Sequence, residues 1–324
     1  MLTRRSLSRS AFALAAIVAA GGFMMAPAAQ AQANPQITIA VPAYFQAGAE
    51  WDRVLETSAV GWVIGHPDTP ADGNYKGEKE LTDRLASAKA KGKKTLVYVT
   101  AGYDKVSAAQ VADRVDSALA AYPGVDGVFL DEILYNECDK YKALAVGSGS
   151  VKGIKARNPG KLVVLNPGAP ILSCYKGVAD GYLNLERGDA SVKEWLDNVN
   201  LPGNYSEYNW MFGSDVRSQI WQMVHTVPAD RMAAAADDAV SRNATVLYLT
   251  PEALPNPYDN LPAAAAFAAF VNRVNDYNSG KAPLPKVLTL KAPAAAVAPV
   301  TTKAPTATTK KAIVVKKKTT KKKK

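Results

Sequence analysis

Between residues 37 and 277 this chain repeats one alternation eight times, a short apolar run followed by a longer connection, several of them with helical spacing. The runs are ITIAVPAYF (37–45), AVGWVIG (59–65), KTLVYVT (94–100), VDGVFLDE (125–132), KLVVLNP (161–167), DGYLNLE (180–186), SQIWQMVHT (218–226) and ATVLYLT (244–250). Between them, EKELTDRLASAKAKG (78–92), SAAQVADRVDSALAAY (107–122), ADRMAAAADDAVSRN (229–243) and PAAAAFAAFVNRVNDY (262–277) place apolar residues three and four apart, which is the pattern of amphipathic helices. Ser107 stands where an N-cap belongs and Gly92 where a helix stops. Strands that alternate with helices require a parallel sheet, and strands apolar almost throughout must be covered on both faces. About 250 residues organised this way predict an α/β fold, a single (β/α)8 TIM-like barrel.

The two ends fall outside that pattern. Residues 1–31 have a basic start (Arg4, Arg5, Arg9), an apolar stretch and a small-residue Ala29-Gln30-Ala31 site, the layout of a secretory signal. The Arg4-Arg5 pair resembles a twin-arginine signal. Export to the periplasm or the extracellular space is therefore expected, with residues 32–280 as the barrel. Residues 281–324 are rich in Ala, Pro, Thr and Lys and contain no acid and no aromatic residue, a composition that predicts a disordered basic tail. Thirteen lysines in that tail and three arginines in the leader supply sixteen positive charges, so the net +10 of the whole chain leaves −6 for residues 32–280. Nucleic acid is not an expected partner, because that would call for a basic face on the fold itself. A lysine-rich tail on an exported chain suits anionic envelope polymers, or serves only to keep the protein soluble. Cys138 and Cys174 form an even pair in an oxidising compartment and are expected to be joined. A monomer is the default.

Each strand leads into polar or aromatic residues. Tyr44 comes after the first, His66 after the second and Tyr103 after the third; Asp131 and Glu132 end the fourth, Asn166 the fifth, Glu186 the sixth and His225 the seventh, and Glu252 lies beyond the eighth. These groups collect at the C-terminal pole of the barrel, where enzymes of this fold carry their sites. Cleavage of a glycosidic bond needs one carboxyl group to protonate the leaving oxygen and a second to attack or to activate water. Asp131 and Glu132 are neighbours on one strand and start toward opposite sides, so Glu186, two strands further round, is the better partner for Asp131. Glu132 is then left to bind sugar, to tune a neighbour or to replace Glu186 as the acid. A strand-end Asp131 can also simply cap its turn, but the partner acids favour catalysis.

At these same residues the sequence resembles a known family. VPAYF on the first strand, VDGVFLDE on the fourth, LNPG (165–168) on the fifth and the Ala179-Asp180 and Leu185-Glu186 pairs on the sixth are similar to the spherulation-specific, spherulin-four-like proteins. The resemblance runs in order through residues 37–277 and implies a (β/α)8 glycoside hydrolase. Characterised fungal members cleave α-1,4-linked N-acetylgalactosamine stretches of galactosaminogalactan, which implies a secreted, endo-acting, retaining enzyme with Asp131, Glu132 and Glu186 as its functional acids. A related polygalactosaminidase family implies Asp131 as nucleophile and Glu186 as acid/base. A non-catalytic carbohydrate-binding or surface protein, with the barrel mouth kept for recognition and the tail as adhesive, is the alternative.

Sugar rings expose apolar faces that stack on aromatics. Tyr44, Tyr103, Tyr135 and the YSEYNWMF loop (205–212) can supply such faces, with Trp210 the most attractive platform. Trp62 and Trp221, inside strands, are expected to pack against the helices. His66 and His225 suit substrate hydrogen bonds or plain loop structure, and Asn166 either orients a hydroxyl or satisfies its Asn-Pro-Gly turn. Two histidines in the whole chain, with no paired spacing, give no zinc site. No serine elbow, Walker loop or dinucleotide fingerprint is present, so no metal and no cofactor are expected.

Overall fold

The structure, a computed structural model, describes residues 35–292 apart from 46–47, 71, 104, 137–150 and 202. Eight parallel strands close on themselves in chain order: β1 (Thr38–Ala43), β2 (Val60–Gly65), β3 (Lys94–Thr100), β4 (Gly127–Asp131), β5 (Leu162–Asn166), β6 (Gly181–Gly188), β7 (Ile220–His225) and β8 (Val246–Leu249), with β8 pairing back onto β1. Helices at Gly48–Glu56, Lys79–Ala90, Ala108–Ala121, Val151–Arg157, Val192–Val199, Met232–Ser241 and Ala264–Asn278 fill connections between strands or come after the last. The (β/α)8 expectation is met. Periodicity sufficed because each strand is covered inside by other strands and outside by a helix, leaving its whole length apolar.

Local rules set the boundaries. Ser107 caps its helix reciprocally: its hydroxyl accepts from the Gln110 N–H at 3.3 Å while the Gln110 side chain accepts from the Ser107 N–H at 3.0 Å. Gly92 ends the preceding helix at a φ of +78°, a conformation that glycine adopts without steric cost. The last helix is tied to the first strand by the Asn278 amide, which accepts from the Ile37 N–H at 2.9 Å and donates to the Ile37 carbonyl at 2.7 Å.

Two aspartates fix strand register at the N-terminal pole. Asp126, just before β4, accepts from the Thr95 N–H of β3 through its carboxylate (2.8 Å) and donates its own N–H to the Thr95 carbonyl (2.8 Å). Asp180, just before β6, repeats the arrangement on Val163 of β5 (2.8 and 2.9 Å). Each is succeeded by a glycine at a close approach. A Cβ on Gly127 would stand 2.1 Å from the Leu162 carbonyl oxygen, and one on Gly181 would stand 2.7 Å from the Trp221 ring nitrogen.

The tryptophans depart from expectation. Trp62 and Trp221 lie on β2 and β7, which are not neighbours, yet their ring centroids are 4.9 Å apart, a contact possible only through the barrel interior. They fill the barrel rather than face the helices, because a strand apolar on both sides does not reveal which parity points inward. The chain also packs beyond residue 280: Leu290 is buried and the Leu288 N–H donates to the Ser241 carbonyl at 2.8 Å. Residues 293–324 and the leader lie outside the described residues.

The backbone contact at Gly127 makes a stability prediction. Gly127→Ala should cost about 1–3 kcal/mol by overpacking, roughly 2–4 °C of Tm per kcal/mol at this size. Gly124→Ala, where an added Cβ meets nothing within 4 Å, should change Tm little; equal melting of both variants in thermal unfolding would contradict the account.

Candidate active site

At the C-terminal pole the strand ends surround a pocket of about 800 Å³. Asp131, Glu132 and Glu186 line it together with Tyr44, Tyr103 and His225. The acids expected from the sequence are therefore gathered in one cavity.

Asn166 organises them. Its side-chain nitrogen donates to Asp131 Oδ1 and to Glu186 Oε2, each at 2.6 Å, while its Oδ1 accepts from the Gly168 N–H at 2.8 Å. One residue thus holds the Asn-Pro-Gly turn and bridges two carboxyl groups. Two oxygens each 2.6 Å from a single nitrogen can be no more than about 5 Å apart. Register places the bridge: Asp131 pairs with Asn166 across β4 and β5, and Glu186 stands at the mouth end of β6.

Each carboxyl also has a phenol of its own. The Tyr98 hydroxyl and the Glu132 main-chain N–H are hydrogen-bonded to Asp131, and the Tyr258 hydroxyl donates to Glu186 Oε1 at 2.6 Å. Burial, followed by the charge of Glu186, raises the Asp131 carboxyl to about 7, since two close carboxylates in a poorly solvated site resist double ionisation. Burial also pushes the Tyr98 and Tyr258 phenols upward, so both remain donors across the working pH range.

Glu132 lines the same pocket and accepts from the Thr100 hydroxyl. Its φ of +59° is left-handed, as are those of Tyr103 (+53°) and Thr226 (+55°). Non-glycine residues cost about 1–3 kcal/mol each in such conformations, which concentrate at functional sites. Tyr103 and Glu132 are joined by a main-chain hydrogen bond of 2.9 Å, so strain on β3 and β4 is shared at one point of the rim.

Other expectations divide. Tyr44, Tyr103 and His225 line the pocket, and so does Tyr135. His66 is absent from the lining: its ring packs at a tilt against Tyr44 and Tyr98, at centroid distances of 4.4 and 4.6 Å, and backs the wall. Trp210 is not a sugar platform. It is 9% exposed, its ring N–H donates to the Ile171 carbonyl at 2.9 Å, and it packs edge-on against Tyr182, because residues 205–212 coil into a helical turn that buries it. The exposed apolar surfaces of the mouth are Tyr103 (46%), Tyr135 (41%) and Leu254 (69%). Cys174 is disulfide-bonded; Cys138 lies outside the described residues. Among the described residues no cluster of three His, Cys, Asp or Glu is arranged to hold a metal ion.

Tyr98, Tyr258 and Leu254 escaped sequence reasoning. Tyr98 lies inside a strand and reads as core. Tyr258 lies nine residues beyond the end of β8, past the point where a roster of strand ends stops. An aromatic in a proline-rich loop after a barrel strand is the available signal.

Comparison with known proteins places this architecture. The family model for spherulation-specific family 4 matches residues 38–274. Spherulin-4 of Physarum polycephalum is 23% identical over 194 residues, 58% of this chain; the match spans 57% of spherulin-4's own length. Among solved structures, Aspergillus clavatus Sph3 in complex with GalNAc has a TM-score of 0.56 at 22% identity, covering 74% of this chain and 98% of Sph3. The glycoside hydrolase domain of PelA from Pseudomonas aeruginosa has a TM-score of 0.45 at 14% identity, covering 70% and 98%. The likeness to Sph3 is one of fold, an eight-stranded (β/α)8 barrel.

The raised Asp131 carboxyl has a consequence for stability that needs no substrate. A folded-state value of about 7 against an ordinary 3.8 means that the folded protein holds this proton more tightly than the unfolded chain. The resulting stabilisation is present in full below the ordinary value and is lost as pH rises through 7. Asp131→Asn cannot ionise, so its stability relative to the wild type, read from Tm, should rise between pH 4.5 and pH 8 by an amount on the order of 2 kcal/mol. A Tm difference independent of pH would refute the assignment.

Proposed function

The chain belongs to spherulation-specific family 4, and on that premise we propose that it is an exported, cofactor-independent glycoside hydrolase acting on an extracellular amino sugar polysaccharide. The observation that carries this reading is the Asp131–Asn166–Glu186 bridge in the barrel mouth. Carboxylate oxygens no more than about 5 Å apart suit a retaining double displacement, whereas inversion needs roughly 6.5–9.5 Å to seat a water between the groups. The leader sequence supports export, and the lysine-rich tail suits anionic polymers of the envelope.

In this mechanism Glu186 protonates the glycosidic oxygen as the bond to the anomeric carbon breaks, and the Asp131 carboxylate attacks that carbon to form a glycosyl ester. Glu186, now ionised, takes a proton from water, whose oxygen displaces Asp131 and frees the sugar. Burial and the nearby charge of Glu186 let Asp131 keep a proton up to about pH 7. Acid catalysis needs that proton on Glu186 when the leaving oxygen is in place. Glu132 and Asn166 hold the geometry, and Tyr44, Tyr103 and His225 line the space that a sugar would fill. Tyr135 and Leu254 flank it from the β4 and β8 sides, which lie opposite each other in the barrel. A chain can therefore cross the mouth in both directions, as endo-cleavage requires. The substrate we assign is an α-1,4-linked N-acetylgalactosamine polymer of the galactosaminogalactan type; Sph3, of the same fold, was solved with GalNAc.

The purified chain should release oligosaccharides from galactosaminogalactan, and Asp131→Asn and Glu186→Gln should each lower turnover roughly 10³-fold or more. Proton NMR of the first product should show the α anomer. The kcat/KM of the wild type should fall as pH rises through about 7, where Asp131 loses its proton. Binding of the polymer by all three proteins with cleavage by none would favour a carbohydrate-binding protein instead.

A further inference from the structure

The pole opposite the mouth carries a second pocket, of about 720 Å³. Its lining sets three lysines, Lys91, Lys93 and Lys94, against a single acid, Glu56, a net charge of +2 on a barrel whose residues 32–280 sum to −6. Glu56 is taken by Lys91, 2.9 Å away. Lys93 is 6% exposed, and an ammonium buried so deeply ordinarily faces a carboxylate. Here its Nζ donates instead to the Thr57 and Val60 carbonyls, at 2.8 and 3.0 Å, and no carboxylate among the described residues pairs with it. An ammonium has three donors, so one remains. Lys94, at the start of β3, is paired in register with Trp62 of β2, which puts the two side chains on one face of the sheet. The Lys94 Nζ stands 4.9 Å from the centre of the Trp62 ring. Of the five tryptophans, Trp62 is the one that is not buried. Its indole meets this pocket, where the exposed residues Gln36, Ser58 and Asn275 add amide and hydroxyl groups.

We propose that this floor pocket is a second binding site, for a sugar that carries a carboxylate or phosphate group. The oxyanion takes the spare donor of Lys93 and the ammonium of Lys94, and it supplies the negative charge that the lining lacks. The apolar C–H face of the sugar ring lies against Trp62, and its hydroxyls meet Gln36, Ser58 and Asn275. A bare inorganic anion would engage the lysines and leave the indole and most of the volume unused. A neutral sugar would engage the indole and leave Lys93 without a counter-charge. A ligand with both parts answers both halves of the lining. Because the mouth is at the other end of the barrel, a polymer held by an acidic sugar at the floor leaves the mouth free.

The site does not rest on the hydrolase reading, and its test needs no turnover. The lysines of residues 281–324 also attract anions, but that segment holds no tryptophan, so the Trp62 indole N–H reports the pocket directly. It is followed by nitrogen-15 NMR of the full chain and assigned through its proximity to Trp221, whose ring centroid is 4.9 Å away. Trigalacturonate or glucose 6-phosphate should shift that signal saturably, and which of them binds tells whether the oxyanion is a carboxylate or a phosphate. Neutral galactotriose should not shift it, and inorganic phosphate should need a concentration roughly tenfold higher or more. Lys94→Gln, at an exposed position, should leave Tm unchanged and weaken binding of the charged sugar roughly tenfold or more. Lys93→Gln should weaken it as well; if that variant fails to fold, Lys94→Gln decides. No shift with either charged sugar overturns the proposal, as does undiminished binding by Lys94→Gln. Equal binding of galactotriose would mean a neutral-sugar site, and equal binding of phosphate an adventitious ion only; either result overturns it too.

Discussion

Closing eight parallel strands into a barrel forces all eight C-terminal ends onto one rim, and everything at the site depends on that constraint. Residues separated by dozens of positions, such as Asp131, Asn166 and Glu186, become neighbours because their strands end at the same height. A single amide can then bridge two carboxyl groups. Without closure each acid would end a strand in water, ionise independently and have no partner.

The bridge gives the two carboxyls one shared donor. Each carboxyl receives one bond from Asn166 and one from a tyrosine, Tyr98 of β3 for Asp131 and Tyr258 beyond β8 for Glu186, and Asp131 takes a further bond from the Glu132 N–H. Burial and the neighbouring charge of Glu186 then hold a proton on Asp131 up to near neutrality. The shared donor keeps the two carboxyls close, and the phenols hold each in place. Glu132, although adjacent to Asp131 in sequence, points to Thr100 and belongs to the rim between β3 and β4.

The sequence made the architecture legible because burial of a parallel strand on both faces leaves a continuous apolar run, which even one sequence displays. The acids were legible for the complementary reason, since an apolar run that ends on carboxylates must deliver them somewhere polar. Trp62 and Trp221 show the limit. When both faces of a strand are apolar, composition cannot say which points inward, and these two meet in the barrel interior. Trp210 shows another, because an aromatic in a loop covers the core as readily as a ligand, and the helical turn at 205–212 turns it inward. Tyr258 depends on how far a loop folds back over the mouth, which local pattern does not encode. Asn166 had two readings from sequence, and the structure adds a third that contains one of them.

The two aspartates at the opposite pole bear on the chemistry as well. Asp126 clamps Thr95 and thereby sets β4 against β3, so that five residues later Thr100 lies opposite Asp131. Five residues of strand span roughly 16 Å. Side chains alternate along a strand, so a slip of one residue at the clamp would turn Asp131 from the cavity into the wall. Asp180 holds β6 against β5 in the same way, on the strand that carries Glu186. The floor of the barrel is thus a gauge for its mouth: residues that never approach a ligand determine which atoms a ligand would meet, and a fault there would surface first as lost chemistry at the far end.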